Sequence, residues 1–177
     1  ALGNYIGAIA DYDKALSLSP QYKSAYNNRA LAKASLKDFE GAIADYDKII
    51  GLEPRYKVAY NNRGIAKAAI GNYKGSINDF DKALEIDPDY ESAYSNRGIA
   101  KAATGDYEGA VADFDKLLQL NPNHPDAYEN RANAMLAIGK YSQALADFGM
   151  AIKNKPDSKA IYYNRSIARM NLKDYKG

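Results

Sequence analysis

The chain of 177 residues has no cysteine and only one histidine. Without cysteine it can form neither a disulfide nor a zinc site with thiolate ligands, and the redox character of its compartment stays open. The histidine, His124, lies between Asn123 and Pro125 in a predicted turn, without other metal ligands at a suitable spacing. We therefore interpret it as a loop residue in solvent and expect no cofactor.

An excess of one charge is also missing. The 24 lysines and arginines are balanced by 22 aspartates and glutamates, which leaves a formal net charge of +2. Proteins that bind nucleic acids or anionic membranes usually carry a strong basic patch. No apolar run approaches the roughly 18 residues that a membrane-spanning helix needs, and we recognise no signal peptide. We expect neither a nucleic-acid nor a membrane partner, and the cytoplasm is the favoured compartment.

Prolines are few, yet five of the six recur every 34 residues without insertion or deletion: Pro20, Pro54, Pro88, Pro122 and Pro156. A fixed period of this length is the signature of stacked structural repeats. Such an array presents one side chain many times along a surface, whereas an enzyme needs different groups to converge in one pocket. No Ser/His/Asp, Cys/His or paired-carboxylate constellation converges here. We therefore expect a binding scaffold without enzymatic activity.

Each repeat is predicted to be a pair of helices. In the unit 57–90, small and apolar residues recur at helical spacing in two runs, which Gly71-Asn72 separates. The second run ends before Pro88, because proline disfavours helical geometry in the residue that precedes it. Neither helix can bury its apolar face alone, so the units must stack on one another.

Small and aromatic residues at equivalent positions mark the predicted core. Small residues in the first helices indicate where helices cross closely: Ala30, Gly64, Gly98, Ala132 and Ser166. Aromatic residues surround them from both helices of each pair: Tyr26, Tyr60, Tyr94, Tyr128 and Tyr162, with Tyr12, Tyr46, Phe80, Phe114 and Phe148 opposite. Stacking of nucleic-acid bases on these rings is disfavoured, because no basic groove accompanies them.

These residues make the chain resemble a tetratricopeptide repeat array. One unit shows the pattern of aromatic, small, turn, lysine and closing proline residues: Tyr94, Gly98, Gly105-Asp106-Tyr107, Ala110, Phe114, Lys116 and Pro122. The resemblance covers the whole chain and implies an all-α fold, a right-handed α-solenoid of antiparallel helix pairs. In the phase of the family, the full repeats are 23–56, 57–90, 91–124 and 125–158. A lone second helix precedes them at 1–22 and a lone first helix follows at 159–177, so we expect a piece of a longer protein.

The resemblance also implies that the first helices line a concave groove. An unbroken column of asparagines lies on the stripe that would face it: Asn28, Asn62, Asn96, Asn130 and Asn164. Asn27 and Asn61 precede the first two, and Leu31, Ile65 and Ile99 lie one turn further on, with Asn133 at that position in a later repeat. A carboxamide can donate and accept hydrogen bonds, which suits the backbone of an extended peptide. Such a ladder is similar to the peptide-binding grooves of O-linked N-acetylglucosamine transferase and peroxisomal import receptors; local bonding within each helix pair is the alternative.

A clamp for acidic peptide tails is missing from this stripe. Family members that bind the acidic C-terminal tail of heat-shock chaperones carry lysine and asparagine one turn apart. The lysine positions here hold other residues: Asn27, Asn61, Ser95, Glu129 and Tyr163. We therefore expect a ligand that is neutral or mildly apolar.

Two charged columns run beside the predicted core faces. The arginines are Arg29, Arg63, Arg97, Arg131 and Arg165, and the aspartates are Asp11, Asp45, Asp79, Asp113 and Asp147. We interpret them as a structural ladder, because the fork of a guanidinium can satisfy a carboxylate. The alternative is that both columns are solvated, in which case a pair contributes about 0–1 kcal/mol.

Glycines and lysines form two further columns. The glycines lie in the first turn of the second helices: Gly7, Gly41, Gly75 and Gly109. A glycine inside a helix costs up to about 1 kcal/mol of stability relative to alanine. We attribute these glycines to close approach of the helices. Three lysines and one arginine form a sparse basic line on the first helices, which we interpret as solvated: Lys33, Lys67, Lys101 and Arg169.

Two alternatives to peptide binding stay open. The first is a structural array that stacks end to end, because each predicted half repeat exposes a face meant for a neighbour. Its contacts would join Tyr5, Ile9, Tyr12 and Leu16 at one end to Ile161, Tyr162 and Ile167 at the other. The second is that the chain recruits substrates for an enzyme whose catalytic domain lies outside it.

Overall fold

A computed structural model describes residues 2–172 of the chain. Residues 1 and 173–177, which belong to the predicted half repeats 1–22 and 159–177, lie outside the described residues. The described part contains ten α-helices and no strand, which confirms the all-α prediction. The helices are α1 (Leu2–Leu18), α2 (Lys23–Ser35), α3 (Phe39–Leu52), α4 (Lys57–Ala69), α5 (Tyr73–Ile86), α6 (Glu91–Ala103), α7 (Tyr107–Leu120), α8 (Ala127–Ala137), α9 (Tyr141–Asn154) and α10 (Lys159–Asn171).

The helix bounds follow the period of the sequence. The second helices α3, α5, α7 and α9 begin at intervals of 34 residues, and α5 ends at Ile86, just ahead of Pro88. Among the first helices only α8 departs, because its first turn is replaced by a turn at Pro125-Asp126. In that turn, Nδ1 of His124 accepts a hydrogen bond from the backbone N–H of Asp126 at 3.3 Å. The histidine thus has a local structural contact.

The chain divides into two compact units, the first up to Ala93 and the second from Tyr94 onward. In the first unit, α1 to α5 pack in sequence order, each helix on the next. Its core includes Ala30, Ala42, Tyr46, Ile49 and Ala59. In the second unit, α7 to α10 pack in the same way around a core that includes Phe114, Leu117, Ala132 and Phe148. Each unit buries the faces that its helices cannot bury alone.

Close helix crossings lie at the small residues of the full repeats, whereas Ser166 is exposed and the prediction is wrong there. A methyl group added at Gly64 in the first unit would lie 2.7 Å from Cε1 of Phe80, and one at Gly98 in the second would lie 2.8 Å from Cε1 of Phe114. The aromatic residues of the second helices are fully buried in four cases: Tyr46, Phe80, Phe114 and Phe148. The tyrosines of the first helices are only partly buried, and Tyr162 is 42% exposed. The prediction that they are core residues is wrong for Tyr162, whose ring lies against the guanidinium of Arg165.

The glycines at the start of the second helices have a different cause from the predicted one. The side chains of Asp38, Asn72 and Asp106 cap α3, α5 and α7 by accepting the backbone N–H three residues later. A methyl group at the glycine in that position would meet the capping side chain at 2.1 to 2.7 Å. These are Gly41, Gly75 and Gly109, whereas Gly7 has nothing within 4 Å. The prediction of close helix approach is therefore wrong at these positions.

Candidate functional site

The predicted arginine and aspartate columns pair within each full repeat. Nε and Nη2 of Arg63 donate to the two carboxylate oxygens of Asp79 at 2.9 and 2.5 Å, and Nη1 donates to Asp47 of the preceding repeat at 2.6 Å. The same forked contact to the aspartate 16 residues later is made by Arg29, Arg97 and Arg131. Each guanidinium also lies over the tyrosine three residues earlier, with Cζ 5.4–5.7 Å from the ring centre in these four repeats. The ladder is structural, and it ties the helices of a repeat together.

The lysine column belongs to this ladder. Nζ of Lys33, Lys67 and Lys101 lies 2.8–2.9 Å from the aspartate that the arginine of the same repeat also binds. The interpretation of these lysines as solvated is therefore wrong, because the aspartates that hold them are buried. In the last full repeat the equivalent residue is Met135, and Asp147 is bound by Arg131 without a lysine. Hydrogen bonds to Asp147 and Asp115 raise the pKa of Arg131 against the opposing effect of burial.

The aspartates at Asp13, Asp47 and Asp115 were missed in the sequence, although they recur with the period. They accept from the arginine 16 residues later at 2.6 Å. Arg29 lies 16 residues after Asp13 and 16 residues before Asp45. This symmetric spacing was a signal in the sequence that could have identified Asp13, Asp47 and Asp115 as partners of the arginines.

The predicted binding residues are at least partly accessible on the first helices, with one exception. Asn28 is exposed, and Asn62, Asn96, Asn130 and Asn164 are partly buried. Of the three aliphatic residues, Leu31 is 47% exposed, Ile65 is 44% exposed and Ile99 is 49% exposed. Asn61, by contrast, is buried, and Asn27 is partly buried. A ligand on this stripe could reach the asparagine column and the aliphatic residues, but not Asn61.

Local hydrogen bonds orient the asparagines in the first unit. Nδ2 of Asn27 donates to Oδ1 of Asn28 at 3.3 Å, and Nδ2 of Asn61 donates to Oδ1 of Asn62 at 3.2 Å. Asn62 lines the same pocket as the buried Tyr46. Burial raises the pKa of Tyr46 to about 12, and Asn62, as a hydrogen-bonding neighbour, lowers the pKa of that hydroxyl. Because an amide can make up to four hydrogen bonds, Asn62 keeps capacity for a ligand after these contacts.

Pockets open beside the asparagine column in both units. In the first unit, a pocket of about 100 Å³ lies between α2 and α4 with α3 behind it, and its lining includes Leu31, Tyr46, Asn62 and Ile65. In the second unit, a pocket of about 170 Å³ is lined by residues that each lie 68 positions after a lining residue of the first pocket. Among them are Ile99, Phe114, Asn130 and Asn133. A third pocket of about 430 Å³ lies between α1 and α2, with Tyr5, Tyr12, Asn28 and Leu31 in its wall. The repeat thus builds the same kind of pocket more than once.

The residues predicted for end-to-end contact are not all accessible. Tyr5 and Tyr162 are 40% and 42% exposed, and Ile9, Tyr12 and Ile167 are partly buried. Ile161 is 1% exposed because it packs into the core of the second unit, and Leu16 is buried in the first. These two are therefore wrongly assigned to a docking face. Ile6 and Tyr163, at 63% and 68%, are more exposed than the predicted residues.

Two other kinds of site are absent from residues 2–172. No group of three or more histidine, cysteine, aspartate or glutamate side chains is placed to hold a metal ion. None of the helices there combines the length and the apolarity that a membrane span requires.

Family models match most of the chain. A model described as TPR repeat matches residues 1–37, 66–105 and 100–139, and models described as tetratricopeptide repeat match residues 24–56 and 129–177. A comparison with curated proteins found no match. These matches agree with the period of 34 residues and with the helix pairs of the fold.

Solved structures of tetratricopeptide repeat proteins are similar in fold. Pseudomonas aeruginosa pilF has a TM-score of 0.84 at 19% identity, over 97% of this chain and 78% of its own. YrrB, described as a TPR protein with an unusual peptide-binding site, has 0.81 at 21% identity, over 93% and 85%. The first TPR of Spaghetti (RPAP3), solved with the HSP90 peptide SRMEEVD, has 0.65 at 24% identity, over 67% and 94%. At these identities the likeness concerns the fold.

Proposed function

Because the chain belongs to the tetratricopeptide repeat family, we propose that it is a non-catalytic scaffold that binds an extended segment of a partner protein. The observation that carries this proposal is the repeated pairing of an asparagine with an exposed aliphatic residue beside a pocket, as at Asn62 and Ile65. Two proteins of similar fold, YrrB and the first TPR of Spaghetti, are described as binding peptides. Peptide binding on the first helices is thus supported by fold and by surface.

The two kinds of residue on the stripe suit different parts of an extended peptide. The backbone of such a peptide offers N–H and C=O groups, and the asparagine column supplies donors and acceptors at each repeat. Leu31, Ile65 and Ile99 are about half exposed, so an apolar ligand side chain that covers them gains from the removal of apolar surface from water. The asparagines therefore bind the backbone, and the aliphatic residues bind side chains.

The ligand that we propose is neutral or mildly apolar. The HSP90 peptide bound by the TPR of Spaghetti has the sequence SRMEEVD, which ends in acidic residues. The lysines of the lysine column are engaged with buried aspartates, as Lys33 is with Asp45 and Lys67 with Asp79. Because these lysines already have partners, an acidic tail would find little uncompensated positive charge on the stripe.

Binding can be tested with a library of random eight-residue peptides whose ends are acetylated and amidated. We expect the whole chain to select peptides, and the double substitution Asn62→Ala/Asn130→Ala to weaken their binding at least about tenfold, since each lost hydrogen bond contributes about 1 kcal/mol. Fluorescence anisotropy measures the affinity. Asn78→Ala, an exposed asparagine on α5, is the matched control and should leave binding unchanged. Equal affinity of the double variant and the control would refute the asparagine ladder.

End-to-end association of copies is a second candidate, which a specific observation favours. Asp11 occupies the position at which Asp45, Asp79, Asp113 and Asp147 each bind an arginine 16 residues earlier, but Asp11 is exposed. Arg165 occupies the arginine position and has no carboxylate within 4 Å among residues 2–172; it lies over Tyr162, with Cζ 5.1 Å from the ring centre. If α10 of one copy packed before α1 of the next, Arg165 and Asp11 would complete the ladder.

A charge exchange tests this second candidate. Light scattering of the whole chain should show a mass that rises with concentration, and Asp11→Arg or Arg165→Asp alone should abolish the rise. An equimolar mixture of the two variants should associate again, because Arg165 of one variant meets Asp11 of the other and the exchanged residues at the opposite junction also carry opposite charges. A constant monomer mass for the unsubstituted chain at all concentrations would exclude association and would leave peptide binding untouched.

A further inference from the structure

One position of the aliphatic stripe is polar. Where the earlier repeats have Leu31, Ile65 and Ile99, the last full repeat has Asn133. Asn133 lines the pocket of the second unit together with Asn130, and its Oδ1 accepts a hydrogen bond from Nδ2 of Asn164 at 2.9 Å. Two amides, Asn130 and Asn133, therefore line this pocket, and a third, Asn164, is bonded to Asn133, whereas the equivalent positions in the first unit are Asn62 and Ile65.

The amide of Asn133 keeps hydrogen-bonding capacity that no protein group uses. Within the part of the chain that the structure describes, its Nδ2 has no acceptor, and the side chain is partly buried. The rest of the lining is apolar or aromatic, with Ile99, Ala102, Tyr107 and Phe114, and no charged residue lines the pocket in the described range. An apolar ligand side chain would remove water from this amide without replacing its hydrogen bonds, which is costly. A carboxylate or ammonium group would find no opposite charge in the pocket.

We propose that the pocket of the second unit selects a neutral hydrogen-bonding side chain, that of Asn, Gln, Ser or Thr, in the bound peptide. This inference rests on the peptide-binding function proposed above. Asn133 is the residue that determines this preference, and the pocket of the first unit, with Leu31 and Ile65 in its wall, selects an aliphatic side chain.

The test uses the same library of end-blocked random peptides and two reciprocal variants of the whole chain. Peptides selected by the unsubstituted chain should share one position with Asn, Gln, Ser or Thr. Asn133→Ile restores the aliphatic residue of the column, and the peptides that this variant selects should carry an aliphatic residue at the shared position. Peptides selected by Ile65→Asn should have a second position with Asn, Gln, Ser or Thr. Replacement of the shared polar residue by Leu in one selected peptide should weaken binding to the unsubstituted chain about tenfold, and should not weaken binding to Asn133→Ile.

The outcomes separate this inference from the function on which it rests. If Asn133→Ile keeps the polar preference while Asn62→Ala/Asn130→Ala abolishes binding, the role of Asn133 is refuted and the peptide-binding function stands. If no peptide is selected, or if the double variant binds as well as Asn78→Ala, the peptide-binding function fails and the inference fails with it. Circular dichroism and thermal unfolding of each variant establish that the fold is intact. An aliphatic position selected equally by both units would also refute the inference.

Discussion

The two units are built from the same repeat, and a comparison of residues 68 positions apart shows where they differ. The forked contact of arginine with aspartate is present in both, as in Arg63 with Asp79 and Arg131 with Asp147. Four of the pairs that differ bear on packing, on the pockets or on the turns: Lys67 and Met135, Tyr46 and Phe114, Ile65 and Asn133, Lys37 and Gly105. The contacts of arginine with aspartate recur, whereas the lysine that supports the aspartate, some residues that line the pockets and the turn residue differ. The units therefore share the arginine that ties a helix pair together and differ in part of the surface that a ligand would meet.

The largest effect on stability is expected from the loss of an arginine whose aspartate is not also bound by a lysine. Arg131→Leu leaves the buried carboxylate of Asp147 without a cation, and we expect a loss of about 3 kcal/mol in the free energy of unfolding. Arg63→Leu leaves Asp79 with Lys67 at 2.8 Å, so about 1–2 kcal/mol should be lost. Urea unfolding followed by circular dichroism measures both.

A second substitution in the same repeat sharpens this prediction. Met135→Lys places at the buried position the residue that Lys67 provides in the first unit. In combination with Arg131→Leu it should reduce the loss to that of Arg63→Leu. Equal losses for the two arginine variants, with no recovery from Met135→Lys, would show that the lysines do not share in holding the aspartates.

A smaller effect concerns Tyr46, which is phenylalanine at the equivalent position of the second unit. The pKa of Tyr46 is raised to about 12, above the usual value near 10, so the folded state keeps a proton that the unfolded state releases. The resulting stability is complete below pH 10 and is lost as the pH rises to about 12. Tyr46→Phe should reduce this alkaline loss by on the order of 1–2 kcal/mol, and Phe114→Tyr should increase it. Unfolding in urea at several pH values tests the pair, and parallel curves for Tyr46→Phe and the unsubstituted chain would contradict the prediction.

The smallest effect is expected at the turn between the helices of a pair. Lys37 has φ of 65°, and Gly71, Gly105 and Gly139 occupy the equivalent position with φ of 73–85°. Because a side chain strains this left-handed conformation, Lys37→Gly should raise the melting temperature, by the equivalent of about 1 kcal/mol. Gly105→Ala should lower it by a similar amount. Lys37→Ala is the control, since it removes the charge and keeps the strain, and stabilisation by that variant would assign the effect to the charge.

The fold could be predicted from the sequence more completely than the candidate site. The interval between prolines located the helix pairs to within two residues, because each helix pair must bury its apolar face on the next and the turn residues recur with it. The partners of Lys33 and Lys67 could not be read from the period, because a lysine on a helix surface reaches either solvent or a neighbouring helix. The proximity of Tyr46 to Asn62 was missed because the other full repeats place phenylalanine, which has no hydroxyl, at the position of Tyr46.

The sequence by itself determined the repeat, the helix pairs and the columns of equivalent residues, because a strict period applies the same local rules to every unit. Only the tertiary structure decided which columns face each other and which face solvent. A step of one residue turns a side chain by about 100° around a helix, so Asn61 is buried and its neighbour Asn62 reaches a pocket. Contacts such as that of Arg63 with Asp79 depend on how two helices are rotated against each other, which packing of the whole unit sets.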